Sequence, residues 1–200
     1  MSAVNDFTSI CPADCSTDLV FPAAVTDPDC LSYDTFKSQI GDFILRPTGA
    51  ANPFGTSWTG EGATITVEAN TVDNTGTDNT TSRRLAGVGS LGEFEYSVRE
   101  TRYGEDVIIE GVAPFEFTVD NVDQTNRTFA KALQCQPSNF TCYLGTEDHL
   151  FGLSDGMKLR NLRVQLPLPG GREDIQTIII RADVVTSRTS PERTANNPFV

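Results

Sequence analysis

Between Glu93 and Arg99 the chain alternates without a break, with Phe94, Tyr96 and Val98 on one side and Glu93, Glu95, Ser97 and Arg99 on the other. A period of two produces one apolar and one polar face only in an extended strand, so this segment commits its surroundings to β structure. After a turn at Tyr103-Gly104, Val107–Glu110 and Phe115–Val119 read as strands on either side of a kink at Val112-Ala113-Pro114, which makes a meander. The run through Ile40, Phe43, Ile44 and Leu45 makes Phe36–Pro47 a strand that Pro47 stops; a short helix over Tyr33–Ile40, closed by Gly41, is the competing reading. Thr64–Val67, Cys142–Leu144, Leu150–Leu153, Met157–Leu168 and Ile175–Val185 complete the strands, with turns at Asp155-Gly156 and Pro169-Gly170-Gly171. One helix is expected over Thr125–Gln134, where Phe129 and Leu133 stand four apart. The expected fold class is mainly β: an antiparallel β-sandwich or barrel-like domain with one short helix, a long loop and an extended N-terminal arm.

The chain of 200 residues suits one domain, since single cores stop growing only near ~250 residues. Residues 1–32 hold three cysteines, three prolines and scattered acids without periodicity and read as an irregular arm, tethered by Leu19, Val20 and Phe21. Residues 33–187 form the β domain, with 69–92 as a long loop rich in Asn, Thr, Asp, Gly and Ser. Arg83 and Arg84 lie in that loop as expected partners for a neighbouring copy's acids. Residues 188–200 read as a polar, loose C-terminal tail. The expected core is Ile40, Ile44, Val67, Phe94, Tyr96, Val98, Ile108, Phe115, Phe117, Leu162, Val164, Ile178 and Ile180.

Charge narrows the function. With 27 acidic and 15 basic side chains the formal charge is −12, which opposes wrapping nucleic acid or docking on an anionic membrane, because both need basic patches. Met1–Phe7 lacks the basic and apolar regions of a secretory signal, and no stretch approaches the ~20 apolar residues of a membrane span, so synthesis in the cytoplasm is expected. The five cysteines, Cys11, Cys15, Cys30, Cys135 and Cys142, are an odd number and read as free thiols.

No catalytic, cofactor or metal site is assigned from the sequence, and the chain is read as a non-enzyme. The one histidine, His149, lies between Asp148 and Leu150 at a strand edge, a structural position. Gly-x-Ser-x-Gly is absent, and Gly89-Ser90-Leu91-Gly92 is one residue short of it. Gly87, Gly89 and Gly92 spell the dinucleotide fingerprint, but polar loop precedes them and a strand follows, so no helix N-terminus is there to hold a pyrophosphate. The x3 and x6 gaps of Cys11/Cys15 and Cys135/Cys142 are not the usual zinc-knuckle spacing. Asp73, Asn74, Asp78 and Asn79 offer oxygens to Ca²⁺ without the EF-hand order or its closing Glu. The adjacent acids Glu105/Asp106 and Glu173/Asp174 read as solvated loop residues, and Trp58, with Phe54 nearby, reads as a buried loop anchor.

The layout from Ser38 onward resembles tail-tube and related virion proteins of tailed bacteriophages: an early strand to Pro47, an aromatic turn over Phe54–Trp58, a long loop, a β meander, a short helix. The segment Leu150-Phe151-Gly152-Leu153-Ser154-Asp155-Gly156-Met157-Lys158-Leu159, the closing strand Ile175–Val185 and the turn Arg188-Thr189-Ser190-Pro191 complete it. The resemblance implies subunits that partner with themselves and with other virion proteins, closing into rings around an acidic channel that lets DNA pass without sticking. It implies no cofactor, no specific nucleic-acid binding and no membrane contact. A head decoration or connector protein would share these features. The reading from another class is a carbohydrate- or receptor-binding β-sandwich with Trp58, Phe54 and Tyr103 as platforms.

Overall fold

The computed structural model describes residues 39–72, 81–100, 102, 104, 106–120, 122–135, 140–167, 176–187 and 190–200. Their strands are β1 (Ile40–Pro47), β2 (Arg83–Leu91), β3 (Glu95–Glu100), β4 (Asp106–Val119), β5 (Phe140–Gly145), β6 (Leu150–Gly152), β7 (Met157–Gln165), β8 (Ile178–Thr186) and β9 (Glu192–Arg193), with helix α1 (Gln124–Cys135) between β4 and β5. All strand pairings are antiparallel. The order β1-β2-β4-β8-β7-β5 closes on itself, because β5 returns to β1 from Asp42↔Gly145 to Pro47↔Phe140. The expected barrel-like β domain is therefore a closed six-stranded barrel with extra strands attached. Closure removes the open edges that a sandwich of the same strands would have to protect.

Alternation fills the barrel. In β8 the inward residues Ile178, Ile180, Ala182 and Val184 are buried, and in β7 Met157, Leu159, Leu162 and Val164 are. A bulge between Arg160 and Arg163, with Asn161 at φ 53°, shifts the inward register of β7 midway. Phe43, Phe115 and Phe117 cluster inside, with Phe43 4.9 Å from Phe115 and 5.4 Å from Phe117 between ring centroids. The helix packs on β7 and adds Ala130 and Leu133 to this core. Its N-terminus is capped by Asp123, whose Oδ1 accepts from the Asn126 amide at 2.6 Å.

A second, smaller core lies on the outside of β1 and β5. Ile44 and Tyr143 point away from the barrel and are covered by Phe54, Trp58, Ile65 and Leu150, with Phe199 packed on the cluster. β1 is thus buried on both faces, which is why Phe43, Ile44 and Leu45 follow one another without a polar residue between them. Beside this second core, on the same face of β1 as Ile44, sits the buried Asp42 carboxylate. It accepts from Arg84 Nε at 2.6 Å and Asn197 Nδ2 at 3.1 Å, joining β1, β2 and the C-terminus.

Several expectations are corrected. Within the expected 69–92 loop, residues 83–91 form β2, a barrel strand paired with both β1 and β4. Its inward positions are Leu85, Gly87, Gly89 and Leu91, and the two glycines erase the apolar period. Those glycines make room for an aromatic neighbour: a Cβ on Gly87 would lie 2.2 Å from the Thr118 carbonyl oxygen and 2.9 Å from the Phe117 ring. The strands expected on either side of Val112-Ala113-Pro114 are one, β4. Pro114 fits because its carbonyl accepts from Gly92 at 2.8 Å, so its missing N–H faces the break between β2 and β3. The polar tail is seated rather than loose from residue 190: Thr194 and Asn197 are buried and hydrogen-bonded. Residues 64–67 form no strand, although Ile65 is buried. The expected arm, 1–32, and residues 33–38 of the competing helix lie outside the described residues.

Of the expected core, Ile40, Ile44, Phe115, Phe117, Leu162, Val164, Ile178 and Ile180 are buried, and Val67 and Phe94 are partly buried. Tyr96, Val98 and Ile108 are not core residues: they are 39%, 58% and 38% exposed. Their strands run past the end of the barrel, where no second layer of the described residues covers them.

Candidate interaction surface

β2 and β3 lie end to end along the same edge of the long strand β4, β2 pairing Phe115–Thr118 and β3 pairing Asp106–Val112. On the other edge of β4, β8 pairs only from Gly111 onward. Among the described residues the segment Asp106–Glu110 therefore has β3 as its one strand partner, and β3–β4 projects beyond the barrel as a two-stranded ribbon. All six residues of β3 are exposed, as are Asp106–Ile109 of β4.

The ribbon's faces follow from its register. Val98 stands opposite Ile108 and Glu100 opposite Asp106 on one face, while Arg99 stands opposite Val107 on the other, beyond a bulge at Ser97/Val98. Val107, Ile108 and Ile109 are 37%, 38% and 49% exposed in succession, and Val98 more so. A two-stranded hairpin is at best marginally stable alone in water, and burying such aliphatic side chains is worth ~1.5–3 kcal/mol each. At its base the ribbon is fastened to the barrel: Arg160 of β7 holds Glu110 through two parallel bonds of 2.9 Å, and Tyr96 meets Ser190 at 3.0 Å. Hydrogen bonding from Arg160 holds the Glu110 carboxyl below the ordinary Glu range and lifts the Arg160 guanidinium.

Beside the ribbon base, the outer face of β4, β8 and β7 carries a groove of about 510 Å³. Gly92 and Pro114 give it an apolar rim, the side chains of Phe115 and Ala182 along its floor being buried in the barrel, and Arg163 and Arg181 stand directly opposite each other across β7 and β8, with Glu116 and Asp183 also in the lining. Arg181 binds Glu116 at 2.6 Å and Gln165 at 3.1 Å, and Asp183 accepts from Asn161 at 2.5 Å. Arg163 makes no hydrogen bond or ion pair among the described residues.

The residues weighed for chemistry in the sequence take structural places. His149 Nδ1 lies 2.7 Å from the Thr194 carbonyl, fastening the C-terminal segment. Trp58 and Phe54 are buried in the second core, and Trp58 donates from Nε1 to Glu192 at 2.7 Å. Tyr143 beside them has its hydroxyl pushed up to about 12 by burial. Burial also raises the Cys142 thiol, while Cys135 is exposed on α1. Gly87 and Gly89 lie within β2 rather than in a phosphate-binding loop. Arg84 is held by Asp42 and stacks over Phe199, and Arg83 donates to Asn126 and stacks over Phe129, so both serve their own subunit. Cys11, Cys15, Cys30, Asp73, Asn74, Asp78, Asn79, Tyr103, Glu105, Glu173 and Asp174 lie outside the described residues. Among the described residues no three potential metal ligands cluster, and no helix is long and apolar enough to cross a membrane.

The ribbon and groove escaped sequence reading, because alternation announces strands but not which apolar face the chain itself covers. Comparison with known protein families, characterised proteins and solved structures finds no match to this chain.

Proposed function

We propose that the chain is a self-assembling structural subunit of a virion and, within that class, a tail-tube subunit of a tailed bacteriophage whose copies form stacked rings around an acidic channel. The observation that carries the reading is the ribbon: among the described residues, a barrel that closes its own edges extends a two-stranded projection with Val98, Val107, Ile108 and Ile109 exposed to solvent. Exposed apolar patches and unpaired edges of this kind mark association surfaces. The layout resemblance supports the tail tube as the position in the particle, and the charge of −12 suits a channel wall that repels DNA phosphates. A carbohydrate-binding reading has less to stand on, since two of the three side chains that would form its platform, Trp58 and Phe54, are buried, the third, Tyr103, lying outside the described residues.

Sedimentation velocity over a concentration series, followed by electron microscopy of the heaviest species, tests the proposal. Rings or tubes are the expected result. A protein that stays monomeric at every concentration and binds glycans overturns it.

A further inference from the structure

The strap Glu192–Phe199 lies in a slot with β6 along one edge and residues 60–65 along the other, and it is hydrogen-bonded to both, as a strand inside a sheet is. Toward β6, Glu192 pairs with Gly152 and Arg193 with Phe151, and the Thr194 amide donates to the Leu150 carbonyl at 2.9 Å. Toward the other wall, the Gly62 amide donates to the Arg193 carbonyl at 2.7 Å and the Ala195 amide to the Ala63 carbonyl at 2.8 Å. Side chains add what main-chain pairing alone lacks, a reading of sequence. Thr194 Oγ1 accepts from the Leu150 amide at 2.9 Å. The Asn196 carboxamide accepts from the Ile65 amide at 2.8 Å and donates to the Ile65 carbonyl at 3.0 Å, taking the place of a main-chain pair. Asn197 Nδ2 donates to the Thr146 carbonyl at 2.6 Å and to the Asp42 carboxylate at 3.1 Å. Phe199 then packs between the Phe54 ring, 6.2 Å away between centroids, and the Arg84 guanidinium, 5.1 Å from its own ring. Main-chain bonds along an extended segment, with side chains read at fixed offsets, are the means by which sheets take up peptides.

Slot and strap depend on each other unequally. The strap carries one large apolar side chain, Phe199, and loses little by entering water. An empty slot leaves the Leu150 and Ile65 amides without their acceptors and uncovers one side of the second core, so it has to be filled. The contacts do not depend on which copy fills it, because a second copy's strap makes every one of them. We infer that this slot is a sequence-reading peptide site and that, in the assembly, a second copy of the chain supplies Glu192–Phe199 to it. The inference rests on the self-assembly reading and names the contact that links the copies. Strap and slot are different surfaces, so straps passed from each copy to the next make a heterologous contact, which closes into a ring or continues as a filament.

The test uses the full chain. A variant with Thr194→Ala, Asn196→Ala and Phe199→Ala keeps the slot and loses the strap's grip, and thermal melts verify that it folds; Asn196→Ala alone stands in should it not. The probe is a labelled peptide of residues 190–200, with a scrambled peptide as control. Binding is read by anisotropy and by the emission of Trp58, the one tryptophan, whose Nε1 donates to Glu192 at 2.7 Å inside the slot. Saturable binding of the peptide to the variant is expected, and binding to the unaltered chain about tenfold or more weaker, because the tethered strap competes at a high effective concentration. In sedimentation the variant should self-associate about tenfold or more weakly than the unaltered chain, since the anchoring side chains of the contact are gone. The free peptide should not restore that association, because it fills a slot without linking two copies. A folded variant that ignores the peptide overturns the site. A variant that assembles as well as the unaltered chain, or whose assembly the peptide restores, makes the strap a support of its own subunit and overturns the exchange, while self-assembly stands. If the unaltered chain never assembles, self-assembly falls and the exchange falls with it.

Discussion

The two halves of β4 are one strand in two environments. From Ala113 to Val119 it alternates as an inner barrel wall, with Ala113, Phe115, Phe117 and Val119 almost fully buried. From Asp106 to Ile109 it carries apolar side chains of similar size that remain in water. Nothing in local propensity separates the halves, since both are rich in the β-branched and aromatic residues that strands favour. What separates them is company: β8 and β2 flank the barrel half, and among the described residues β3 alone accompanies the other. Apolar alternation in sequence marks a strand, and only the three-dimensional arrangement shows which apolar side chains the barrel covers.

The sharpest way to break this contrast is to truncate one side chain in each half. Phe117→Ala removes a fully buried ring that touches Phe43 and leaves a cavity the barrel closes poorly; it is expected to cost ~3–5 kcal/mol of folding stability. Ile108→Ala removes a side chain that is already 38% exposed and is expected to change an isolated subunit by less than ~0.5–1 kcal/mol. Chemical denaturation of both variants at a concentration where the protein is monomeric measures the difference. Comparable losses at the two positions would mean that the ribbon is part of the subunit's own core.

Legibility followed the same division. β7 and β8 were readable because they are half-buried in the ordinary way, with one face inward and one in water. The helix was readable from the spacing of Phe129 and Leu133, although Ala130 rather than Phe129 is its second buried residue, Phe129 being covered by Arg83. β2 was not readable, because its inward glycines carry no hydrophobic signal while serving the barrel's packing. The C-terminal segment was not readable either, since its hold on the fold comes from Thr194, Asn196 and Asn197 hydrogen bonds that look like solvated polarity in sequence. As for the candidate surface, its strands were visible and its exposure was not, and the pairing of Arg163 with Arg181 depends on a bulge at Asn161 that no motif announces.

The glycines of β2 offer a second test, of intermediate size. An added methyl at Gly87 has to displace the Thr118 carbonyl oxygen, a backbone atom, as well as the Phe117 ring. Overpacking of this kind typically costs ~1–3 kcal/mol, so Gly87→Ala is expected to lower the midpoint of unfolding even though alanine is usually tolerated in strands. Combining it with Phe117→Leu, which vacates part of that space, should give less than the sum of the two losses, because the residues share one cavity. Strict additivity would show that Gly87 is needed for some reason other than room.

The smallest expected effect lies at the joint between the two regions, where Arg160 grips Glu110 as β4 leaves the barrel. Hydrogen bonding from Arg160 lowers the Glu110 pKa below its ordinary value in the folded state, so the folded protein binds that proton less readily than the unfolded chain does. The contribution of the pair is therefore fully present above the ordinary Glu range and is lost as the pH falls through the lowered value. Both side chains are substantially in water, 53% exposed for Arg160 and 31% for Glu110, so global stability should change little across that range. The local consequence is larger, because the bond fixes the ribbon where it loses β8 as a neighbour. Carboxyl NMR resonances should place the Glu110 midpoint below that of an ordinary Glu, and Arg160→Gln should bring it back up. Amide exchange should accelerate in Glu95–Glu100 on acidification or in that variant, while Phe115–Val119 stays protected. If the barrel half of β4 loosened together with the ribbon half, the two would be one cooperative unit, and the ribbon could not act as an independent arm for docking on another copy.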